Sequence, residues 1–150
     1  MVSHDAYLRV TGETLQNLDN TAEHIRRVLC GLLARDIDYG EEGVKILSDG
    51  VNDLRLKKSK EEIDNLIWMY GAFLGKAIIE SFSGGKNHWA DNKVDNYCIK
   101  VYTNAGEETM VAPFTRVIKH FEDGEVSSMY AFFKKVEFVV ENGMKNLARK

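Results

Sequence analysis

The chain has 150 residues, of which 44% are hydrophobic and 29% are charged, and its net charge is −3. This balance is typical of a folded globular domain and argues against long disordered regions. The slightly negative charge gives no general attraction to nucleic acid or to an anionic membrane, so we expect neither as a direct partner.

The N-terminal sequence MVSHDAYLRV lacks the basic start and apolar core of a secretory signal. The two cysteines, Cys30 and Cys98, have no CxxC spacing and no neighbouring cysteine or histidine. We therefore expect two buried free thiols, with no disulfide, metal site or other cofactor. Together these features favour a cytoplasmic protein.

Two helices are predicted in the first third of the chain. The first runs from Thr14 to Arg35, because apolar residues recur there at spacings of three and four: Leu15, Leu18, Ala22, Ile25, Leu29 and Leu32. The second runs from Glu41 to Leu56, with an apolar face of Val44, Leu47, Val51 and Leu54. Gly43 and Gly50 weaken this second pattern by about 1 kcal/mol each relative to alanine.

The sequence SKEE predicts the start of a third helix, from Lys60 to Phe82. Ser59 can cap the amide of Glu62 while the Glu62 side chain reaches back, which is the reciprocal capping box. A broad apolar stripe predicts that this helix is covered on several sides, and Gly84 with Gly85 ends it.

Within the third helix, Gly71 and Gly75 are four residues apart in an apolar run. Lys76 interrupts the run well before the roughly 20 residues that a membrane span requires. The double glycine after the helix lacks the spacing of a phosphate-binding loop. We interpret the glycines as a flat strip that lets another backbone approach closely, on a helix that forms the interior of the fold.

A change of period after Gly85 predicts strands at HWADN and NYCIKVYTN and a return strand at ETMVA. Alternation around Lys100 predicts that one face of this antiparallel sheet is solvated. Pro113 is suited to the first turn of a short helix, with four residues facing inward: Phe114, Val117, Ile118 and Phe121. A last helix is predicted from Ser127 or Ser128 to near Gly143, with core residues Met129, Phe132 and Phe133.

These elements predict an α+β fold: N-terminal helices, a long central buried helix, a small antiparallel β-hairpin or sheet, and C-terminal helices. We expect a single globular domain over residues 1–150. It comprises a helical part (1–60), an α+β part (61–143) and a frayed basic tail (144–150).

One polar cluster could carry general acid–base chemistry. His88, Asp91 and Asp95 lie near the junction of the third helix and the first strand. The structural alternative is that Trp89 anchors the sheet on the third helix while the aspartates mark turns. None of the four histidines is three or four residues from another histidine or a cysteine, so the sequence contains no ready pair of metal ligands.

Residues 36–53 form the most acidic stretch, DIDYGEEGVKILSDGVND, which contains six carboxylates and only one basic residue, Lys45. Such a run is most often the solvated face of a helix and its entry loop. It can also serve, less often, as a surface that is complementary to a basic partner.

The second half of the chain resembles a family of small bacterial domains through a glycine-containing helix, a GGxxW-like junction, a proline-started element and a GE..S helix start. These motifs are Tyr70–Ile78, Gly84–Trp89, Pro113-Phe114 with Val117 and Lys119, and Gly124-Glu125 with Ser127-Ser128. Domains of this kind often accompany toxin genes and resemble immunity proteins of interbacterial competition systems. The resemblance implies a non-enzymatic protein that binds and neutralises a cognate toxin domain by occlusion.

For that function the candidate contact residues are the acidic side chains with one aromatic anchor: Asp36, Asp38, Tyr39, Glu41, Glu42, Asp49 and Asp53. A basic nuclease-like toxin domain would be the complementary partner, with this chain a monomer or a weak homodimer. The alternatives are a small hydrolase or ligand-binding enzyme that uses His88, Asp91 and Asp95, and a structural domain that oligomerises through its last helix.

Overall fold

The computed structural model describes residues 12–92 and 96–144 of the chain. Within them it has five α-helices and a three-stranded sheet, the α+β fold that the sequence predicts. The helices are α1 (Gly12–Leu33), α2 (Glu41–Leu54), α3 (Lys60–Ser81), α4 (Pro113–Asp123) and α5 (Met129–Asn142). The strands are β1 (His88–Asn92), β2 (Asn96–Tyr102) and β3 (Glu108–Val111), and short 3₁₀ turns cover Ser83–Gly85 and Gly124–Ser127.

The sheet is antiparallel with β2 at its centre. Ile99 of β2 lies opposite Trp89 on one side and opposite Val111 on the other. Lys100 is half-buried, as expected for a solvated face, but Cys98 on the same side of the strand is only 1% exposed. The expected solvated face is therefore limited to the later part of β2.

Helix α3 forms the centre of the fold. Its start has the predicted capping box, in which the Ser59 Oγ accepts from the Glu62 N–H at 3.2 Å and the Glu62 carboxylate accepts from the Ser59 N–H. Apart from Lys76, residues 70–78 are buried. The helix ends at Ser81, and Gly84 and Gly85 then have φ values of 59° and 86°, a region that glycine enters without steric cost.

The glycine strip on α3 receives aromatic rings, so the expectation that a second backbone packs there is wrong. A Cβ atom added at Gly71 would overlap the ring of Phe114, and one added at Gly75 would overlap the indole of Trp89. These glycines leave the space into which α4 and β1 insert their largest side chains. Trp89 thereby anchors the sheet on α3, which was the structural alternative for this residue.

The apolar stripe of α1 is covered only in its middle. Leu18, Ala22 and Ile25 are buried, whereas Leu15 is 37% exposed and Leu32 is 77% exposed. Leu29 is also buried, so the predicted stripe is covered from Leu18 to Leu29 and exposed at both ends. Helix α3 contacts α1 within this covered part, as in the Trp68–Thr21 hydrogen bond. A similar correction applies to α4, where Ile118 was expected to face inward and is 38% exposed.

Polar side chains join α2 to the C-terminal helices. The Ser48 Oγ lies 3.1 Å from the Ser128 Oγ and accepts a hydrogen bond from the backbone N–H of Tyr130 at 3.1 Å. Ser128 also caps α5, close to where the sequence predicts its start. At the end of α2, the Arg55 Nε donates to the carbonyl of Phe121 at 3.0 Å. The N-terminal helices therefore position the second half of the chain directly.

The C-terminal end of the described chain is tied to the turn between β2 and β3. The backbone N–H of Met144 donates to the Glu107 carboxylate at 3.2 Å. The remainder of the predicted frayed tail, residues 145–150, lies outside the described residues.

Candidate functional site

The acidic stretch folds as the entry loop and outward side of α2. Glu42, Asp49 and Asp53 are seven and four residues apart, so they share one stripe of the helix, and all three are exposed. The opposite side of the helix is buried by Val44 and Val51. Asp36 and Asp38 precede the helix and are also exposed. We call the exposed carboxylates of residues 36–53 the acidic face.

Three members of the acidic face form ion pairs within the chain. Lys134 of α5 donates to Glu41 at 2.8 Å, and the Tyr130 hydroxyl donates to the same carboxylate at 3.0 Å. Arg35 forms a two-pronged pair with Glu42, and Asp49 accepts from Lys45 at 2.9 Å. The hydrogen bonds from Lys134 and from Arg35 are the main causes that lower the pKa values of Glu41 and Glu42. These carboxylates are therefore negative at neutral pH but partly neutralised by their partners.

The other three members, Asp36, Asp38 and Asp53, make no ion pair or hydrogen bond through their side chains within residues 12–92 and 96–144. Because they are exposed, water solvates them at little cost, and an approaching cation can replace that water. They are the part of the acidic face whose charge is available to a partner.

Tyr39 lies beside the acidic face and is half-buried. Its hydroxyl donates to the Glu23 carboxylate at 2.7 Å, and its ring packs against Phe73 with the centroids 5.5 Å apart. Desolvation, followed by the bond to Glu23, raises the pKa of Tyr39. Hydrogen bonds from Arg26 and then from Tyr39 lower the pKa of Glu23 to about 2. Tyr39 is thus held firmly in the fold, and only its exposed part remains for a partner.

An open cavity of about 430 Å³ borders Tyr39, lined also by Arg26, Asp38 and Glu80. The contribution of α1 and α3 to this region was not predicted from the sequence. The one local signal was the Glu23–Arg26 spacing of three, which places a carboxylate and a guanidinium on one helical turn. The cavity is polar and mixed in charge, and it extends the acidic face toward α1.

The residues of the alternative, enzymatic prediction are only partly described. His88 is exposed on β1, where its Nδ1 lies 3.0 Å from the carbonyl oxygen of Lys86 and its ring is 6.1 Å from that of Tyr102. The backbone of Asp91 pairs with Tyr97. The side chain of Asp91 and the whole of Asp95 lie outside the described part of the chain, so convergence of the three groups remains a prediction.

His120, which no sequence pattern singled out, is buried completely in α4. Its Nε2 lies 2.9 Å from the Asn52 Oδ1, and the backbone N–H of Met129 donates to its Nδ1 at 3.1 Å. Because a backbone N–H can only donate, Nδ1 is the acceptor and Nε2 carries the proton of a neutral imidazole. Burial is the main cause that lowers the pKa of His120. This histidine connects α2 to the start of α5 and has a structural role.

The part of the chain that the structure describes contains no group of three or more histidine, cysteine, aspartate or glutamate side chains that could hold a metal ion. Cys98 is buried, as expected, but Cys30 is only half-buried. None of the helices formed by residues 12–92 and 96–144 is long and apolar enough to cross a membrane.

No protein-family model matches the sequence, and neither a curated protein nor a solved structure is significantly similar to it. The resemblance to immunity proteins and the toxin-binding residues on the acidic face therefore stay predictions.

Proposed function

We propose that this chain is a non-enzymatic immunity protein that binds a cognate bacterial toxin domain and neutralises it by occlusion. The observation that carries the proposal is the exposure of Asp36 and Asp38 in the loop before α2 and of Asp53 on α2, all without side-chain partners in the described structure. Residues 36–53 contain six carboxylates and one lysine, so this surface is more acidic than the chain as a whole.

A surface of this kind favours association with a basic protein. Helix α2 has 14 residues, so the acidic face extends over about 20 Å along its axis. Complementary charge over that distance raises the association rate and disfavours partners whose surface is also negatively charged. The half-buried ring of Tyr39 adds a rigid amphipathic side chain at one end of this surface.

Occlusion requires no chemistry on this chain. A toxin domain that acts on nucleic acid needs a basic cleft for phosphates. The carboxylates of the acidic face can occupy such a cleft and exclude the nucleic acid. Glu41 is held by its ion pair with Lys134, and Glu42 by its ion pair with Arg35. Because these side chains are already ordered, less conformational entropy is lost on binding.

The test is to search the genes next to this one for a basic toxin domain, purify it and measure its binding to this chain. A variant with Asp36→Asn, Asp38→Asn and Asp53→Asn should associate about tenfold more slowly at low salt, and the wild-type rate should fall as salt rises. The matched control changes three exposed carboxylates elsewhere, Glu61→Gln, Asp64→Asn and Glu141→Gln. An association rate that is independent of salt, or an equal effect of both variants, would remove the acidic face from the proposal.

A further inference from the structure

A separate cavity of about 170 Å³ lies between β3, α4 and α5, on residues that the acidic face does not use. Val101, Val136 and Val139 form its buried apolar floor. Met110 and Lys135 are the exposed members of its lining, so the cavity opens to solvent beside them. A dry engineered cavity of about 150 Å³ is large enough to bind benzene, which sets the size of ligand that this space accepts.

Two cationic side chains line this otherwise apolar space. The Arg116 guanidinium carbon lies 5.2 Å from the centroid of the Phe132 ring, so the cation stacks on one wall of the cavity. The Nε of Arg116 is buried and has no hydrogen-bond acceptor among residues 12–92 and 96–144. Lys135 is one turn from Phe132 on α5 and forms no ion pair within the described residues.

A buried donor without an acceptor is rare in folded proteins, because it loses its bond to water and gains nothing in return. The carboxylates on the neighbouring turn and strand do not supply the missing acceptor. Glu107 accepts from the backbone N–H of Met144, and Glu108 lies 3.9 Å from Lys100. The site therefore combines an apolar floor with positive charge that the described part of the protein leaves uncompensated.

We propose that this cavity binds a small free carboxylate with a compact apolar body, such as an aromatic or branched short-chain acid. The apolar body occupies the valine floor, and the carboxylate accepts from the terminal guanidinium nitrogens of Arg116 at the wall and from Lys135 at the mouth. Arginine suits this role because its planar guanidinium matches carboxylate geometry and at the same time stacks on an aromatic ring. The volume limits the ligand to about the size of benzoate.

Benzoate is the probe for this site, with benzamide as the neutral analogue of the same shape. Titration of the full chain, followed by the methyl NMR signals of Val136 and Val139, should show saturable binding with Kd on the order of 1 mM or tighter. Benzamide should bind at least tenfold more weakly, because it brings no negative charge to the two cations. No saturation by benzoate, or equal binding of the two probes, would overturn the proposal.

Two variants test the role of the arginine. Arg116→Gln should weaken benzoate binding at least tenfold, whereas Lys119→Gln, which removes an exposed cation outside the cavity on the same helix, should leave it unchanged. If Arg116→Gln does not fold, the comparison of benzoate with benzamide on the wild-type protein still decides the matter. The assignment would be contradicted if benzoate shifted the NMR signals of residues outside the cavity instead of those lining it. Equal affinity of the Arg116→Gln and Lys119→Gln variants for benzoate would also contradict it.

Discussion

Replacement of Gly75 by alanine tests how α3 organises the core. A Cβ atom at this position would overlap the Cη2 and Cζ2 atoms of the Trp89 ring and would lie 3.1 Å from the Cδ1 of Ile99. Trp89 is 8% exposed and Ile99 is fully buried, so neither side chain has free space to enter.

The expected magnitude follows from two opposing effects. Alanine is favoured over glycine inside a helix by about 1 kcal/mol, while overpacking a dense core costs about 1–3 kcal/mol. Because two ring atoms of Trp89 would be overlapped, we expect the upper end of that range. The net loss of unfolding free energy is then about 2 kcal/mol, or about 4–8 °C in Tm for a chain of this size.

The matched control is Gly50→Ala in α2, where no atom lies within 4 Å of the added Cβ. This variant should be stabilised by up to about 1 kcal/mol. The assay is urea unfolding of both variants, followed by the helical circular dichroism signal, with the slope m compared to that of the wild type. A Gly75→Ala protein as stable as the wild type would refute the packing that we describe, as would an equal loss of stability in Gly50→Ala.

Three further predictions concern the polar contacts of the fold. Ser128→Ala removes the α5 cap and a buried partner of Ser48, so thermal denaturation should show a loss of about 1–2 kcal/mol. Because the pKa of His120 is lowered in the fold, this histidine binds a proton more readily in the unfolded chain than in the folded one. Urea unfolding at several pH values should therefore show that the contribution of the neutral imidazole to the free energy of unfolding is present above about pH 6.5 and is lost as the pH falls below it. A flat profile in that range would contradict the neutral, buried imidazole. Tyr39→Phe removes one donor from Glu23, so carboxyl NMR titration should place the Glu23 pKa above its wild-type value of about 2, and an unchanged pKa would exclude the Tyr39 bond as a cause.

The predictions that succeeded from sequence depend on local physics. The capping box of Ser59, the glycines after α3 and the position of Pro113 each determine the backbone within a few residues. The observed ends of α1, α2 and α3 accordingly lie within about two residues of the predicted ones.

The predictions that failed concern what covers a surface. Periodicity indicates which side of a helix is apolar, but it cannot show that Leu32 is left exposed or that a ring, instead of a backbone, fills the space at Gly71. The partner of His120 is 68 residues away in sequence, and the Tyr39–Glu23 bond joins the loop before α2 to α1. Such contacts form only when the helices pack together, so no local sequence pattern predicts them.

Bacterial growth during production of the proposed cognate toxin measures the neutralisation most directly. Co-expression of the wild-type chain should restore growth, and the Glu61→Gln, Asp64→Asn, Glu141→Gln control should restore it equally. The Asp36→Asn, Asp38→Asn, Asp53→Asn variant should protect less at the same protein level. Continued growth arrest with the wild-type chain would contradict the proposed function, and full protection by the triple aspartate variant would contradict the role of the acidic face.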